Sequence, residues 1–357
     1  MLFGCYVQVA KTEVEKIEEI DLVLGTNEKK NIVEILENYI DYNKKLEEID
    51  DVFQNKKYSE FGKVTYTEKV RAVIKVQDGC DRFCSYCLIP YARGRVRSRN
   101  PENVISEIKK IAEEGIKEVV ITGIHIASYG KDFKNEYKLI DLLEEINKIE
   151  GIERIRLGSI EPLLIDENFL NRLIKLEKIC HHFHLSLQSG CNETLQRMNR
   201  RYTTEEFEKI VELLRNAYSD VILTTDIIVG FPGETDEEFE QTYQFLEKIK
   251  FYKMHVFKYS VRTGTKAASM PDQINNQVKE ERSKRLIKLS EKNERFYQKE
   301  YVGKNILVLV EEKENEYYKG HTANYLLVNF KSSNNIINQL VEVNVEKSYN
   351  NELFGAM

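Results

Sequence analysis

The 357-residue chain contains no tryptophan, five prolines and no run of 18 consecutive apolar residues. The missing apolar run argues against a membrane-spanning helix. The net charge is −6, which excludes a globally basic nucleic-acid binder but not a locally basic one. No charged segment precedes the apolar start of the chain, so we expect neither a signal peptide nor a membrane anchor. Phosphate-binding loops of the GxxxxGK[ST] and GxGxxG types are also absent, which leaves ATP-driven and dinucleotide chemistry without support.

The middle of the chain alternates short apolar runs with amphipathic segments. The apolar runs are continuous, which is typical of strands buried on both faces of a parallel sheet that helices cover. We therefore expect an α/β fold, with a partial or full (β/α) barrel favoured over a doubly wound sheet. In either fold the chemistry belongs at the carboxyl ends of the strands. The six predicted strands are residues 70–76, 117–123, 154–160, 183–187, 220–230 and 253–260.

Changes in this pattern predict three domains. Residues 1–65 begin with a predicted strand over residues 2–9 and end in a charged stretch, without apolar periodicity, that is typical of a linker. Residues 66–300 hold the serial strands and helices and close with a long polar helix from about residue 276. Residues 301–357 show short alternating strands separated by Asn, Lys and Gly, which predicts a small antiparallel β-barrel.

Three of the six cysteines, Cys80, Cys84 and Cys87, lie within eight residues after the first of these strands. This clustering favours a metal site over a disulfide framework. The spacing also suits one face of a helix that buries three small side chains, although Gly79 and Pro90 favour a loop. Structural zinc requires four ligands, and no local His or Cys completes the set. A [4Fe–4S] cluster held by three thiolates, with one iron open, fits best.

Several sequence blocks together resemble a known family. CxxxCxxC with Tyr86 before the last cysteine resembles the radical S-adenosylmethionine (SAM) superfamily. The blocks QDGCDRFCSYCLIPYARGRVRSR, VVITGIHIASYG, IRLGSIEP, HLSLQSGCNETLQRMNRRYT, DIIVGFPGET and YSVRTGTKA resemble, in order, those of methylthiotransferases. IPYARG, TGIHIASYG and LQSGC are similar to the branch that converts N6-threonylcarbamoyladenosine, beside the tRNA anticodon, to its 2-methylthio derivative. The C-terminal strands resemble a TRAM domain, an RNA-binding module.

This resemblance implies a fold, cofactors and partners. The fold is a partial (β/α)6 barrel between an N-terminal α/β domain and a TRAM-like barrel. The cofactors are SAM and a [4Fe–4S] cluster, whose electron cleaves SAM to a 5′-deoxyadenosyl radical while the protein supplies positioning. The partners are the tRNA anticodon stem-loop and an electron donor such as flavodoxin or ferredoxin. The protein is expected to be a cytoplasmic monomer.

The matching blocks also imply site residues. The resemblance assigns Cys80, Cys84 and Cys87 as cluster ligands. Polar residues at the later strand ends are candidates for the SAM pocket, with the alternative that they satisfy backbone groups or cap the next helix. The candidate SAM-pocket residues are Tyr86, Gly123, His125, Ser159, Glu161, Gln188 and Asp226.

The segment that follows the cysteines is strongly basic. Residues 82–99 contain five arginines and no acid. Four of the arginines recur at every second position, so in an extended segment their guanidiniums would point the same way. Uncompensated arginines favour contact with RNA or SAM over a solvated loop, and Arg200 and Arg201 are expected to add to this face. The predicted RNA-binding residues are Arg93, Arg95, Arg97 and Arg99.

Other polar clusters favour structural roles. Tyr317, Tyr318 and Tyr325 could stack on bases, but in a small barrel we expect them to be partly buried. The three histidines between residues 181 and 184 alternate at the start of a strand, which favours packing over metal binding.

Cys5 stands apart from the other cysteines. In methylthiotransferases the first domain carries three cysteines that hold a second [4Fe–4S] cluster, and FGCYVQ resembles the last of those blocks. The resemblance therefore implies that Cys5 is the third ligand of that cluster. The blocks with the other two ligands are absent, so we expect a chain truncated within this domain. It would be a fragment, the product of a misassigned gene start, or a protein that has lost sulfur insertion.

The predicted function is methylthiolation of N6-threonylcarbamoyladenosine at position 37 of tRNA. The C2–H bond of adenosine is aromatic and unactivated, so its replacement calls for radical rather than acid–base chemistry. The alternatives are a tRNA-binding radical SAM protein without turnover, and methylthiolation of another RNA or of a protein.

Overall fold

The structure is a computed structural model that describes residues 1–28, 31–42, 46–55, 57–60 and 70–357. For residues 42 and 46–48 it describes the backbone alone. These residues form three units in chain order. The predicted boundary near residue 65 lies outside the described residues.

The N-terminal unit is a small parallel sheet in the order β1–β2–β3. The predicted strand over residues 2–9 is wrong beyond Phe3, because Gly4 has a φ of +109° and turns the chain into a helix. Strand β3 falls within the predicted linker and is ordered by pairing with β2. The elements are β1 (Leu2–Phe3), α1 (Cys5–Val9), α2 (Lys11–Val14), β2 (Leu22–Leu24), α3 (Ile32–Tyr42) and β3 (Leu46–Glu48).

The central unit is an open parallel barrel. Its strands are β4 (Arg71–Asp78), β5 (Arg97–Ser98), β6 (Glu118–Gly123), β7 (Arg154–Leu157), β8 (His182–Gln188), β9 (Ile222–Val229) and β10 (Lys253–Lys258). The short β5 pairs antiparallel with β4, and the other six follow one another in parallel and in chain order. Isolated parallel bridges, Ile155 to Ile179 and Ile160 to Leu185, continue the sheet from β7 to β8. The strand order never reverses, as it would in a doubly wound sheet, so the predicted partial barrel is confirmed.

Helices cover the convex face of this sheet. In β8, Phe183, Leu185 and Leu187 are fully buried against the helices, while the alternate residues line the concave face. The helices are α4 (Ile89–Arg93), α5 (Pro101–Glu113), α6 (Leu139–Asn147), α7 (Glu167–Leu173), α8 (Asn192–Arg197), α9 (Thr204–Ala217), α10 (Asp236–Ile249) and α11 (Asn276–Lys299).

The C-terminal unit is a closed barrel in the order β11–β12–β13–β15–β14. The predicted small barrel is confirmed, but one pair, β13 with β15, is parallel rather than antiparallel. Two of its strands, β12 and β15, lack the apolar alternation that predicted the others. The strands are β11 (Asn305–Glu314), β12 (Tyr317–Thr322), β13 (Leu327–Lys331), β14 (Leu340–Tyr349) and β15 (Glu352–Ala356).

The C-terminal barrel packs against the amino ends of the central strands. Arg154, the first residue of β7, donates to the carbonyl of His321 at 2.8 Å, and Arg156 donates to that of Ala323 at 3.0 Å. The ring of Tyr325 stacks on His182, the first residue of β8, with centroids 4.8 Å apart. The C-terminal barrel therefore closes the end of the open barrel opposite the cysteine loop.

Candidate active site

The three clustered cysteines lie in the loop between β4 and α4, at the carboxyl end of β4. Gly79 begins this loop with a φ of +72°, and a Cβ there would lie 1.9 Å from the carbonyl oxygen of Arg95. The far side of the loop is fixed by Ser85, whose N–H donates to the carbonyl of Met198 at 3.0 Å. The loop is therefore held from two directions, as the sequence predicted for a loop rather than a helix.

Each of the three thiols receives an N–H group. The backbone amide of Arg82 lies 3.5 Å from Cys80 Sγ, that of Ile89 3.4 Å from Cys87 Sγ, and the Arg200 guanidinium 3.5 Å from Cys84 Sγ. Burial raises the pKa of Cys80 to about 11 and also raises the pKa of Cys87. The free thiols of Cys80 and Cys87 are therefore protonated near neutral pH and lose their protons when they bind a metal.

Beside the loop, Glu161 is the centre of a buried polar cluster. It forms an ion pair with Arg82 and lies 3.1 Å from Nε2 of His125. Burial tends to raise the pKa of Glu161, but His125 and Arg82 outweigh it and hold this pKa below its usual range. The predicted residues His125 and Glu161 are thus brought together with the cysteine loop.

Gln77 is a site residue that sequence reasoning missed. It is fully buried at the end of β4, and its Oε1 accepts the backbone N–H of His125 at 2.7 Å. Its amide nitrogen donates to the carbonyl of Gly79 at 2.7 Å, so one side chain links the cysteine loop to the end of β6. A Cβ at Gly123 would lie 2.9 Å from the Gln77 carbonyl oxygen, which accounts for glycine there. The sequence offered one signal for this residue: Gln77 is polar and directly follows the predicted apolar strand over residues 70–76.

The remaining predicted SAM-pocket residues occupy separate places. Ser159 Oγ lies 2.7 Å from Ser186 Oγ on the open side of the site, and Gln188 ends β8 with a φ of +72°. Asp226 lies deeper in the barrel, 3.2 Å from Nε2 of His184. The ring of Tyr86 packs edge-on against Phe231, with centroids 6.3 Å apart.

The predicted alignment of the arginine run is wrong. Arg93 ends helix α4 and Arg97 lies in β5, so the segment is not extended throughout. Acids outside residues 82–99, some of them close in sequence, also compensate the charges. Arg97 and Arg99 are buried, which leaves them almost no surface for RNA. The ion pairs are Arg82 with Glu161, Arg93 and Arg97 with Asp78, Arg95 with Asp81, and Arg99 with Glu60 and Glu107.

Other cationic side chains near the site are exposed and could contact RNA where the buried Arg97 and Arg99 cannot. Lys131, Arg201, Arg262 and Lys266 are exposed, and none of them forms an ion pair with a residue that the structure describes. Partial burial and the nearby charges of Arg82 and Arg201 lower the pKa of Lys131. We call these four residues the basic rim. Among them, the sequence had singled out Arg201.

An aromatic cluster lies next to the rim. The ring of Tyr91 is 5.7 Å from Phe83 and 6.4 Å from Phe53, edge-on in both cases, and the Arg95 guanidinium lies 5.0 Å over Phe83. Tyr91 is 45% exposed and Phe53 39% exposed. Exposed rings and guanidiniums of this kind are what single-stranded nucleic acids stack on.

Comparisons with known proteins agree with this site. A model of the Radical SAM superfamily matches residues 74–246, and one of the TRAM domain matches residues 299–357. The chain is 39% identical over 351 residues to the threonylcarbamoyladenosine tRNA methylthiotransferase MtaB of Bacillus subtilis (strain 168), which covers 97% of this chain and 78% of that relative. The chain belongs to the radical SAM methylthiotransferase family.

Two further relatives show the range of this methylthiotransferase family. MtaB of Aquifex aeolicus (strain VF5) is 43% identical over 83% of this chain and 72% of its own length. The tRNA-2-methylthio-N(6)-dimethylallyladenosine synthase of Caldicellulosiruptor saccharolyticus is 42% identical over 81% of this chain and 62% of its own length. The names of these relatives describe tRNA as the substrate but differ in the group on N6 of adenosine.

Membership in the radical SAM methylthiotransferases implies SAM and a [4Fe–4S] cluster as cofactors. The residues at the cysteine loop fit the cluster, because three thiols are free and each receives an N–H group at its sulfur. Hydrogen bonds of this kind tune iron–sulfur clusters. No three His, Cys, Asp or Glu side chains within the described ranges are grouped so as to hold a single metal ion.

Cys5 begins helix α1, away from the three clustered cysteines in sequence. This helix packs against α4, which follows the cysteine loop. A role for Cys5 in a second cluster stays a prediction. Across the described parts of the chain, no helix is long and apolar enough to span a membrane.

Proposed function

We propose that this radical SAM enzyme replaces the C2 hydrogen of N6-threonylcarbamoyladenosine at position 37 of tRNA with a methylthio group. The observation that carries the proposal is the similarity to the two MtaB proteins, at 39% and 43% identity over most of the chain. The C-terminal TRAM domain and the exposed basic rim favour an RNA substrate.

The proposed mechanism gives each group of residues one task. Cys80, Cys84 and Cys87 hold the cluster, which together with SAM supplies a radical able to attack an unactivated C–H bond. Glu161, positioned by Arg82 and His125, accepts hydrogen bonds from a polar group of SAM.

The surroundings of the site are proposed to bind the other partners. The basic rim binds phosphates of the anticodon stem-loop, with Arg93 and Arg95 beside it. An electron donor such as flavodoxin or ferredoxin would supply the electron that the cluster needs, and the protein is proposed to be a cytoplasmic monomer.

The test uses anaerobically reconstituted protein, SAM, dithionite, sulfide and tRNA that carries threonylcarbamoyladenosine. We expect 5′-deoxyadenosine and the 2-methylthio nucleoside, both detected by mass spectrometry of the digested reaction. Cys84→Ala should abolish both products, because two thiolates cannot hold the cluster in the same way.

Other outcomes identify the rival functions. A tRNA-binding protein without turnover makes neither product. Deoxyadenosine formation with unchanged tRNA nucleosides points to another RNA or a protein as the substrate. Conversion of dimethylallyladenosine instead of threonylcarbamoyladenosine would show that the chain has the substrate for which the Caldicellulosiruptor relative is named.

A further inference from the structure

A cleft of about 530 Å³ lies where the concave face of the open barrel meets the C-terminal barrel. Its wall comes from β7 to β10, and Tyr325 of the C-terminal barrel forms its floor. There the Tyr325 ring is stacked between His182 and His321, with centroids 4.8 and 4.6 Å away. Of the predicted SAM-pocket residues, Ser159 lines this cleft, and the three cysteines lie outside its lining.

A short chain of contacts joins the cleft to the cysteine loop. The Arg200 guanidinium touches Cys84 Sγ at 3.5 Å and donates to the carbonyl of Ser186 at 3.1 Å. The Ser186 hydroxyl lies 2.7 Å from that of Ser159, which lines the cleft. A chain of hydrogen bonds therefore links the lining of the cleft to the cysteine loop.

The wall of the cleft is rich in hydrogen-bonding groups. His184, Thr224 and Lys253 are register neighbours on three adjacent strands, and His255 lies one layer above, its ring 5.7 Å from that of His184. His182, 7% exposed, has a ring nitrogen, Nδ1, without a hydrogen-bond partner in the described part of the chain. An unpartnered buried nitrogen costs free energy, so the structure tolerates an unpaired polar group at the floor of this cleft.

The charges of the cleft are partly balanced. The Lys253 ammonium lies 3.6 Å from Glu294, and it has three donors, so it can hold a second acceptor. Asp226, behind the lining, pairs with His184 at 3.2 Å, and Glu352 on the floor side accepts from Asn329 at 2.9 Å. His255 has no ion-pair partner among the described residues and is exposed to the cleft.

The relatives are named for two different groups on N6 of adenosine, threonylcarbamoyl and dimethylallyl, and these groups differ in how many hydrogen bonds they can form with the cleft wall. A dimethylallyl group is a hydrocarbon and would leave these donors unpaired, which costs free energy. A threonylcarbamoyl group carries a carboxylate, a hydroxyl and a urea-type amide, all able to bond histidine and ammonium donors. Sites built to hydrogen-bond a substrate discriminate strongly against an analogue that lacks the bonding group.

We propose that this cleft receives the N6 substituent of the target adenosine, and that His255 and Lys253 bind its carboxylate. The inference rests on the proposed function and adds to it a site for the part of the substrate that distinguishes the two kinds of relative. The cleft then acts as the specificity pocket of the enzyme.

The test measures binding, without cofactors, of fluorescently labelled anticodon stem-loops to the full chain. Three RNAs differ at position 37 alone: threonylcarbamoyladenosine, dimethylallyladenosine and adenosine. We expect the wild type to bind the first about tenfold more tightly than the third, as one charge-assisted hydrogen bond would provide. His255→Leu and Lys253→Leu should each reduce this ratio towards one and leave the affinity for the unmodified RNA unchanged.

Two further variants make the result specific. His181→Leu is the matched control, because this histidine lies just before β8 and pairs with Asp220 outside the cleft lining, so it should keep the wild-type ratio. His255→Gln keeps a hydrogen-bond donor and should restore part of the preference. Far-ultraviolet circular dichroism checks that each variant is folded.

The outcomes separate the inference from the proposed function. A wild type without a preference for threonylcarbamoyladenosine, or variants that keep the preference, would overturn the inference. In either case, formation of the 2-methylthio product from threonylcarbamoyladenosine tRNA would leave the proposed function standing. The opposite result is also possible: the wild type prefers threonylcarbamoyladenosine, the variants lose this preference, and no 2-methylthio product forms. That result would reject the enzymatic function and support the pocket.

Discussion

His182 is buried at the junction of the two barrels, and its surroundings keep it neutral. Its Nε2 atom lies 3.1 Å from the hydroxyl of Thr224. Burial, and then the nearby Arg156 guanidinium, lower the pKa of His182 well below its usual value of 6.5. A proton taken up here would place a second positive charge beside Arg156, in a space with little water.

This residue predicts a pH dependence of stability. Below about pH 6.5 the unfolded chain binds a proton at His182 that the folded chain does not, so the free energy of unfolding falls as the pH falls. The slope from this group is at most about 1.4 kcal/mol per pH unit. Urea unfolding between pH 7 and 5.5 should show it, and His182→Gln should have a smaller slope there. Measurements from pH 7 to 8.5 are the control, and equal slopes for both proteins below pH 6.5 would contradict the prediction.

Single residues also show what a local pattern cannot predict. The arginines between residues 82 and 99 lack acids within that segment, yet each finds one elsewhere. Glu161, the partner of Arg82, lies 79 residues further along the chain. The cysteine ligands were predictable because their spacing is local, whereas the charge balance around them depends on which strands become neighbours.

At the scale of elements, several helix starts carry a complete local signal. Helices α9 and α10 begin after Thr203 and Thr235, each with a capping box to a glutamate three residues later. Helix α5 begins at Pro101 after Asn100, which accepts the N–H of Glu102. These signals are complete within four residues of sequence. Strand β3 carries no such signal and exists through its pairing with β2.

The loop after β4 gives a prediction at this scale. Gly79→Ala should reduce the iron bound after reconstitution by more than half and lower the melting temperature of the apoprotein, because a Cβ would lie 1.9 Å from the Arg95 carbonyl oxygen. Ala at a positive φ alone costs about 1–2 kcal/mol. Gly115→Ala is the matched control, since Gly115 has a φ of +86° with nothing within 4 Å of the added carbon. Equal iron content in the two variants would show that the close approach is unimportant.

At the scale of the whole molecule, the C-terminal barrel covers the amino ends of the strands of the open barrel. Glu118 is fully buried there and pairs with Arg156 at 2.7 Å and with Arg71 at 3.0 Å. Arg71 also forms an ion pair with Glu311 of the C-terminal barrel. A buried charge is tolerated when its partners surround it, so these ion pairs require both units to be in place.

Tyr325 provides the test of this junction. Tyr325→Ala removes a ring stacked on two histidines with the Arg156 guanidinium 4.7 Å from its centre, and should lower the free energy of unfolding by about 2–4 kcal/mol. Limited proteolysis should then cut sooner near residues 300–304, between α11 and β11. Tyr317→Ala is the control, because Tyr317 has nearly the same exposure, 36% against 37%, but lies away from the junction. Similar destabilisation by both substitutions would argue against a special role for Tyr325.

The sequence by itself determined the serial strands and helices, the cysteine loop and the family, because each depends on residues close together in the chain. The tertiary structure alone decided which arginines are buried, that Gln77 links the loop to β6, and that Tyr325 lies at the junction of the two barrels. It also brought His182, His255 and Lys253 to one cleft. Arg156 and the Thr322 carbonyl that it contacts are 166 residues apart. No local pattern predicts such a contact, since it forms only when the two units pack together.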